Sequence, residues 1–125
     1  MTTVSPLALV VEDDPVQAEI FTRAIADAGY QVQHLASGDA ALNALQNETP
    51  LLVLLDLHLP KIAGMEILRF IRREPRLADT RVVLATADPR QAEIVRSETD
   101  LVLIKPISFG QLRALAQRLR PKPAH

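Results

Sequence analysis

The stretch that most constrains this chain is Leu51-Leu52-Val53-Leu54-Leu55-Asp56, five aliphatic residues in a row that end in a carboxylate. Pro50 precedes it and His58-Leu59-Pro60 follows, so the run is too short for an ordinary helix and reads as a strand buried on both faces. Such strands belong to parallel sheets covered by helices on both sides. In open sheets of that kind ligands bind beyond the strand C-termini. Asp56 is therefore expected where a reactive group would sit, although an isolated Asp after a strand serves equally as a cap for whatever follows.

Other runs share the pattern. Leu7-Ala8-Leu9-Val10-Val11 ends in Glu12, Asp13 and Asp14, and Asp14-Pro15 has the form of a helix start, with an N-cap carboxylate and proline at the first helical position. Phe21, Ala24, Ile25 and Ala28 then recur at helical spacing until Gly29. Residues 30–35 alternate, as expected of a strand with one wet face, hence an edge. Ser37 caps a second helix with Ala41, Leu42 and Leu45 inward, and Pro60 and Gly64 lie in a loop before a third carrying Ile67, Leu68 and Ile71. Arg81-Val82-Val83-Leu84-Ala85 ends at Thr86-Ala87, and Asp88-Pro89 repeats the cap-plus-proline start, with Ala92, Ile94 and Val95 assigned to packing. Leu101-Val102-Leu103-Ile104 ends at Lys105-Pro106, and Ser108 caps a last helix with Leu112, Leu115, Ala116 and Leu119 on one face.

Five strands alternating with five helices specify a doubly wound α/β sheet, because right-handed crossovers lay helices on both faces. The order 2-1-3-4-5 puts the alternating second strand at an edge and the first, third and fourth inside; an apolar fifth strand at the other edge is the weak point of this assignment. In this order the ends of the first and third strands are neighbours about 4.8 Å apart, and Glu12, Asp13 and Asp56 converge. Three carboxylates so close require protons or a cation, and oxygen-only ligands favour Mg²⁺, with Mn²⁺ as its substitute. Thr86 and the Ala87 amide add anion donors on one side. Lys105 starts about 10 Å from Asp56 by strand spacing, a gap its stem can largely span. Singly, each of these residues has a bland explanation as a cap, a strand residue or a solvated charge. Their joint position at four strand ends does not.

The 125 residues suffice for one domain, and a formal charge of −1 from 14 basic and 15 acidic residues gives no whole-chain attraction to nucleic acid or anionic lipid. No Cys is present, which excludes disulfides, thiolate metal sites and thiol nucleophiles. The N-terminus lacks a signal peptide's basic region and no apolar run reaches the roughly 20 residues of a membrane span, so a cytoplasmic protein is expected.

Val10-Val11-Glu12-Asp13-Asp14-Pro15, Leu55-Asp56-Leu57-His58-Leu59-Pro60 with Gly64, Thr86-Ala87 and Lys105-Pro106 together resemble the receiver domain of bacterial two-component response regulators, a flavodoxin-like (βα)5 fold. The resemblance spans about residues 6–120, leaving 1–5 and 121–125 as frayed ends and no output domain. It implies that Asp56 accepts a phosphoryl group from a phosphohistidine on a sensor histidine kinase or histidine phosphotransfer protein. It further implies that Asp13, Asp56 and the His58 carbonyl ligate Mg²⁺, that Glu12 acts largely through water, that Thr86, the Ala87 amide and Lys105 hold the phosphoryl oxygens, and that Lys105-Pro106 is cis. His58 and Asp88 stand where receivers tune acyl-phosphate lifetime.

The chain departs from the family at Val102, where receivers usually carry Tyr or Phe, at Glu98-Thr99-Asp100, where Gly-Ala commonly precedes the last strand, and at Ala63 and Ile107. The usual Thr-to-aromatic switch cannot operate with Val102. The expectation is a stand-alone receiver that catalyses only its own phosphoryl transfer and dephosphorylation, serving as a switch for an unknown protein target or as a phosphorelay intermediate. It has no nucleic acid or membrane partner, and a homodimer is among the assemblies it allows. The competing readings are a phosphorylation-independent interaction module on a receiver scaffold, a phosphohydrolase of the haloacid dehalogenase type, and a flavodoxin-like nucleotide binder. The second needs an Asp where His58 stands, and the third needs glycine where the first loop is acidic. His34 and Lys61 are assigned no function, and His34 is expected to be buried or edge-facing.

Overall fold

A computed structural model of the chain describes residues 5–59 and 63–120. Pro60, Lys61 and the termini beyond these limits, including most of the ends expected to fray, lie outside the described residues. The elements follow in alternation: β1 (Leu7–Val11), α1 (Pro15–Asp27), β2 (Gln31–Leu35), α2 (Gly38–Asn47), β3 (Leu52–Asp56), α3 (Gly64–Arg73), β4 (Arg81–Thr86), α4 (Pro89–Val95), β5 (Leu101–Ile104) and α5 (Phe109–Leu119). Short 3₁₀ turns at Pro75–Leu77 and Arg96–Glu98 lead into β4 and β5.

The helix starts are the ones the sequence announces. Asp14 Oδ1 accepts from the Val16 and Gln17 amides at 2.9 and 3.1 Å, Asp88 Oδ1 from Arg90 at 2.9 Å, and Ser108 Oγ from Gln111 at 3.1 Å. Each satisfies amides that the first helical turn leaves unpaired. Helix α3 has no side-chain cap at Ala63. Its start is fixed instead by close approach, because a Cβ on Gly64 would lie 2.6 Å from the Asp56 carbonyl oxygen and 2.8 Å from Leu57 Cα. Only glycine lets α3 begin against the end of β3.

The five strands are all parallel in the order β2-β1-β3-β4-β5, as expected. The pleat divides their side chains between two cores. Ala8, Val10, Leu52, Leu54, Val83, Ala85 and Leu103 pack under α1 and α5, while Leu9, Val11, Val53, Leu55, Val82 and Leu84 pack under α2, α3 and α4. The apolar edge is real: Leu101 and Ile104 of β5 are 38% and 41% exposed. One packing assignment is corrected. Ala92 and Val95 are buried, but Ile94 is 76% exposed, because a seven-residue helix presents only one stripe to the sheet and Ile94 lies two positions, about 200°, from Ala92. Lys105-Pro106 is cis.

The unusual entry to β5 has a structural use. Asp100 Oδ2 accepts from the Val82 amide at 2.7 Å and from Arg72 Nη2 at 3.1 Å, and Oδ1 accepts from Arg81 Nη1 at 3.3 Å. Arg72 also donates to the Glu98 and Thr80 carbonyls, so one carboxylate and one guanidinium tie the end of α3 to the starts of β4 and β5. Burial alone would raise the Asp100 carboxyl, but the Val82 amide and the two arginines outweigh it and hold it below the ordinary 3.8. Asp100→Ala is expected to cost about 1–3 kcal/mol at neutral pH in a denaturant titration, as the loss of charge-assisted hydrogen bonds and an orphaned amide requires. Because the folded carboxyl is the stronger acid, its stabilisation is full above the ordinary value and fades as pH falls, so wild type and variant converge in acid. Gly64→Ala is expected to lose about 1–3 kcal/mol from overpacking against β3, read in the same titration.

Candidate functional site

Pleat parity builds the site. Glu12 continues the Ala8–Val10 row, Asp56 the Leu52–Leu54 row, and Lys105 the row of Leu103, so all three leave their strands on the face covered by α1 and α5. Strands β1 and β3 are in register from Ala8↔Leu52 to Val11↔Leu55, which sets Glu12 beside Asp56. Asp13 follows in the loop, exposed. One carboxylate oxygen from each of Glu12, Asp13 and Asp56 lies within 4.8 Å of the others. The convergence expected from topology is present.

Lys105 closes the whole gap assigned to it. Its Nζ lies 3.1 Å from Glu12 Oε1 and 3.2 Å from Asp56 Oδ2. The Asp56 side chain is 6% exposed and that of Glu12 2%, against 17% for Lys105, so the two ion pairs are nearly cut off from water. The second oxygens are engaged by backbone. The His58 amide donates to Asp56 Oδ1 at 3.0 Å, and the Asp14 amide to Glu12 Oε2 at 3.1 Å. His58 itself is exposed.

The charges are not balanced. Burial pushes the Glu12 carboxyl up to about 7, with the negative charge of Asp56 adding to it and the Asp14 amide and Lys105 opposing it. Burial likewise disfavours the Lys105 ammonium, but its hydrogen bond to Glu12 and the charge of Asp56 prevail and hold it above its usual 10.5. One ammonium among three carboxylates leaves a negative excess, and the donors are all oxygens. A hard divalent cation of the Mg²⁺ or Mn²⁺ kind fits this set, with the exposed Asp13 on the side open to solvent.

Thr86 is placed differently from the carboxylates. In β4 its parity is that of Val82 and Leu84, so its side chain leaves on the α4 side of the sheet, fully buried, and its Oγ1 accepts from the Asp88 amide at 3.1 Å. The hydroxyl proton remains free to donate. The neighbour that shares the face of Asp56 is Ala85, directly across in register. Val102, at the departure from the family, is half-buried against the core under α2, α3 and α4, on the same side as Thr86.

Beside Lys105 lies an open recess of about 540 Å³ lined by Gln17, Ile20, Phe21, Ala87, Lys105, Pro106 and Ile107. Ile20, 40% exposed, and Phe21 give its α1 rim an apolar character. One further contact has no signal in the sequence: the His34 ring lies 2.7 Å from the Glu12 carbonyl, through Nε2. His34 is exposed at the sheet edge, as one of the two expected placements had it. No helix among the described residues is long and apolar enough to cross a membrane.

Comparison with known proteins agrees with this architecture. The response regulator receiver domain model matches residues 8–117. The probable methanogenesis regulatory protein FilR2 of Methanothrix harundinacea is 34% identical, over 91% of this chain and 81% of its own length. The DNA-binding response regulator MtrA of Mycolicibacterium smegmatis is 31% identical, over 99% of this chain and 56% of its own length. The chain spans about half the length of several such curated relatives. Among solved structures, the signal receiver domain of a signal transduction histidine kinase from Syntrophus aciditrophicus is 32% identical with a TM-score of 0.79, covering 92% of this chain and 89% of that one. Relatives named as DNA-binding lend no support to the expectation of no nucleic acid partner, because net charge over these residues says nothing about the remainder of longer proteins. The receiver fold, its carboxylate rim and these matches agree: the chain belongs to the response regulator receiver domain family, a family of signalling modules rather than classical enzymes.

Proposed function

We propose that Asp56 accepts a phosphoryl group from a phosphohistidine in a Mg²⁺-dependent reaction, and that the phosphorylated and free forms differ in what they bind. The observation that carries the reading is Lys105 Nζ at 3.1 and 3.2 Å from Glu12 and Asp56 inside a carboxylate cluster. In this reading Asp13, Asp56 and the His58 carbonyl hold the cation, and Glu12 acts through water. When bound, the cation offsets negative charge on the incoming phosphoryl oxygens.

The chain's own groups then have separate tasks. The Asp56 carboxylate attacks phosphorus, the oxygen–phosphorus bond forms as the phosphorus–nitrogen bond breaks, and the donor imidazole leaves. The His58 amide on Oδ1 orients the carboxylate. The Lys105 ammonium exchanges its contact with Asp56 for one with the phosphoryl group, and the Ala87 amide holds another oxygen. Thr86 joins them through its free hydroxyl proton, which requires the side chain to turn from the Asp88 amide. The open recess beside Lys105 admits the donor histidine along its apolar α1 rim. Hydrolysis of the acyl phosphate resets the domain. The donor is a sensor histidine kinase or phosphotransfer protein, and the cytoplasm is the site of action. The outcome is binding to a protein target or relay to a second histidine.

Intact mass after incubation with a small phosphodonor tests this reading. One phosphoryl group is expected on the wild type with Mg²⁺, none with chelator and none on Asp56→Asn. If the wild type stays unmodified at the shortest sampling times, the reading fails, and the phosphorylation-independent interaction module, which Val102 favours, replaces it. Lys105→Met is expected to slow phosphorylation about 10²-fold or more in the same assay, the scale lost with one preorganised electrostatic contact.

A further inference from the structure

The loop between β1 and α1 supplies two of the three clustered carboxylates, and only one of them is held by its own contacts. Glu12 is fixed through its carboxylate by Lys105 and the Asp14 amide. Asp13 has no hydrogen bond or ion pair among the described residues, so the direction of its Cα–Cβ bond, and the arc its carboxylate can sweep, are set by its backbone. That backbone leaves the sheet here. The Glu12 amide makes the last rung, to the Leu35 carbonyl at 3.1 Å, after which the neighbouring chain turns away through Ser37 into α2. The Glu12 carbonyl therefore lies beyond the strand amides that would have continued the ladder.

His34 fills that place. It pairs with Val10 in the β1–β2 register and shares the parity of Val32, so its ring lies on the α1 side of the edge strand, where it lines an open recess with Pro15, Ala18, Glu19, Thr22 and Arg23. From there its Nε2 reaches two residues further along, to the Glu12 carbonyl at 2.7 Å. A carbonyl oxygen only accepts, so the proton is on Nε2. We propose that His34 is a positioning residue for the carboxylate cluster: by holding the Glu12 carbonyl it fixes the Glu12–Asp13 peptide plane, and with it the arc over which Asp13 presents its carboxylate.

The inference rests on the proposed cation site, and calorimetric titration of the intact chain with Mg²⁺ alone, without phosphodonor, separates the two. His34→Val keeps a strand-forming side chain at an exposed edge and removes the donor, and His34→Gln restores an N–H at similar reach. The dissociation constant is expected to rise about tenfold or more in His34→Val, the scale found for groups that orient a metal ligand, and to return near wild type in His34→Gln. A merely structural role would lower the melting temperature of both variants and leave the Mg²⁺ affinity of the folded protein alone. Wild-type affinity in His34→Val overturns the inference while leaving the cation site standing, whereas no Mg²⁺ binding by the wild type overturns both. Ring ¹⁵N spectra of the wild type give a test independent of any variant: a proton on Nε2 is expected, and a ring protonated only on Nδ1 overturns the assignment.

Discussion

The site depends on a half-buried ammonium between two buried carboxylates. Lys105, Glu12 and Asp56 come from three different strands, and each would be costly to bury alone. The sheet makes their meeting unavoidable, because residues of the same pleat parity on parallel strands leave the same face at the same end. Once together they are mutually necessary. Removing Lys105 leaves two adjacent buried carboxylates, and removing both carboxylates strands an ammonium. Stability and chemistry therefore share one constraint, and its unbalanced negative charge suits a cation, which in the proposed reaction would offset the charge of the incoming phosphoryl group.

Much of this was legible in the sequence for a definite reason. Apolar runs of four or five residues that stop at Glu12, Asp56, Thr86 and Lys105 give both the strands and their reactive ends, and the Asp14-Pro15 and Asp88-Pro89 starts give the helices. Gly64 could be read as a loop residue, but not as the position where α3 touches the Asp56 carbonyl, since that contact depends on how the helix returns to the sheet. The exposure of Ile94 was hidden because a helix of seven residues carries too few turns for periodicity to separate its faces.

Other features were out of reach because they join side chains to distant backbone. His34 meets the Glu12 carbonyl across two strands, and Asp100 meets the Val82 amide across another pair. Neither pairing has a characteristic spacing in sequence. Asp100 also changes the meaning of a departure from the family: Glu98-Thr99-Asp100 replaces a small-residue entry to β5 with a polar clamp to Arg72 and Arg81. Thr86 could have been placed on the α4 side from parity alone, since it continues the Leu84 row. It shares that side with Val102, so movement of the hydroxyl toward Asp56 would leave an aliphatic side chain beside the space it vacates, where receivers usually have an aromatic ring.

The proposed function requires that Asp56, with Lys105 beside it, be the phosphoryl acceptor. A crystal structure of the chain with Mg²⁺ and beryllofluoride, which mimics an acyl phosphate on a carboxylate, tests it most directly. The beryllium is expected on an Asp56 oxygen, Lys105 Nζ transferred from that carboxylate to a fluorine, and the cation against Asp13 and Asp56. Beryllofluoride absent from Asp56 under saturating conditions, with Lys105 still bridging Glu12 and Asp56, would contradict it.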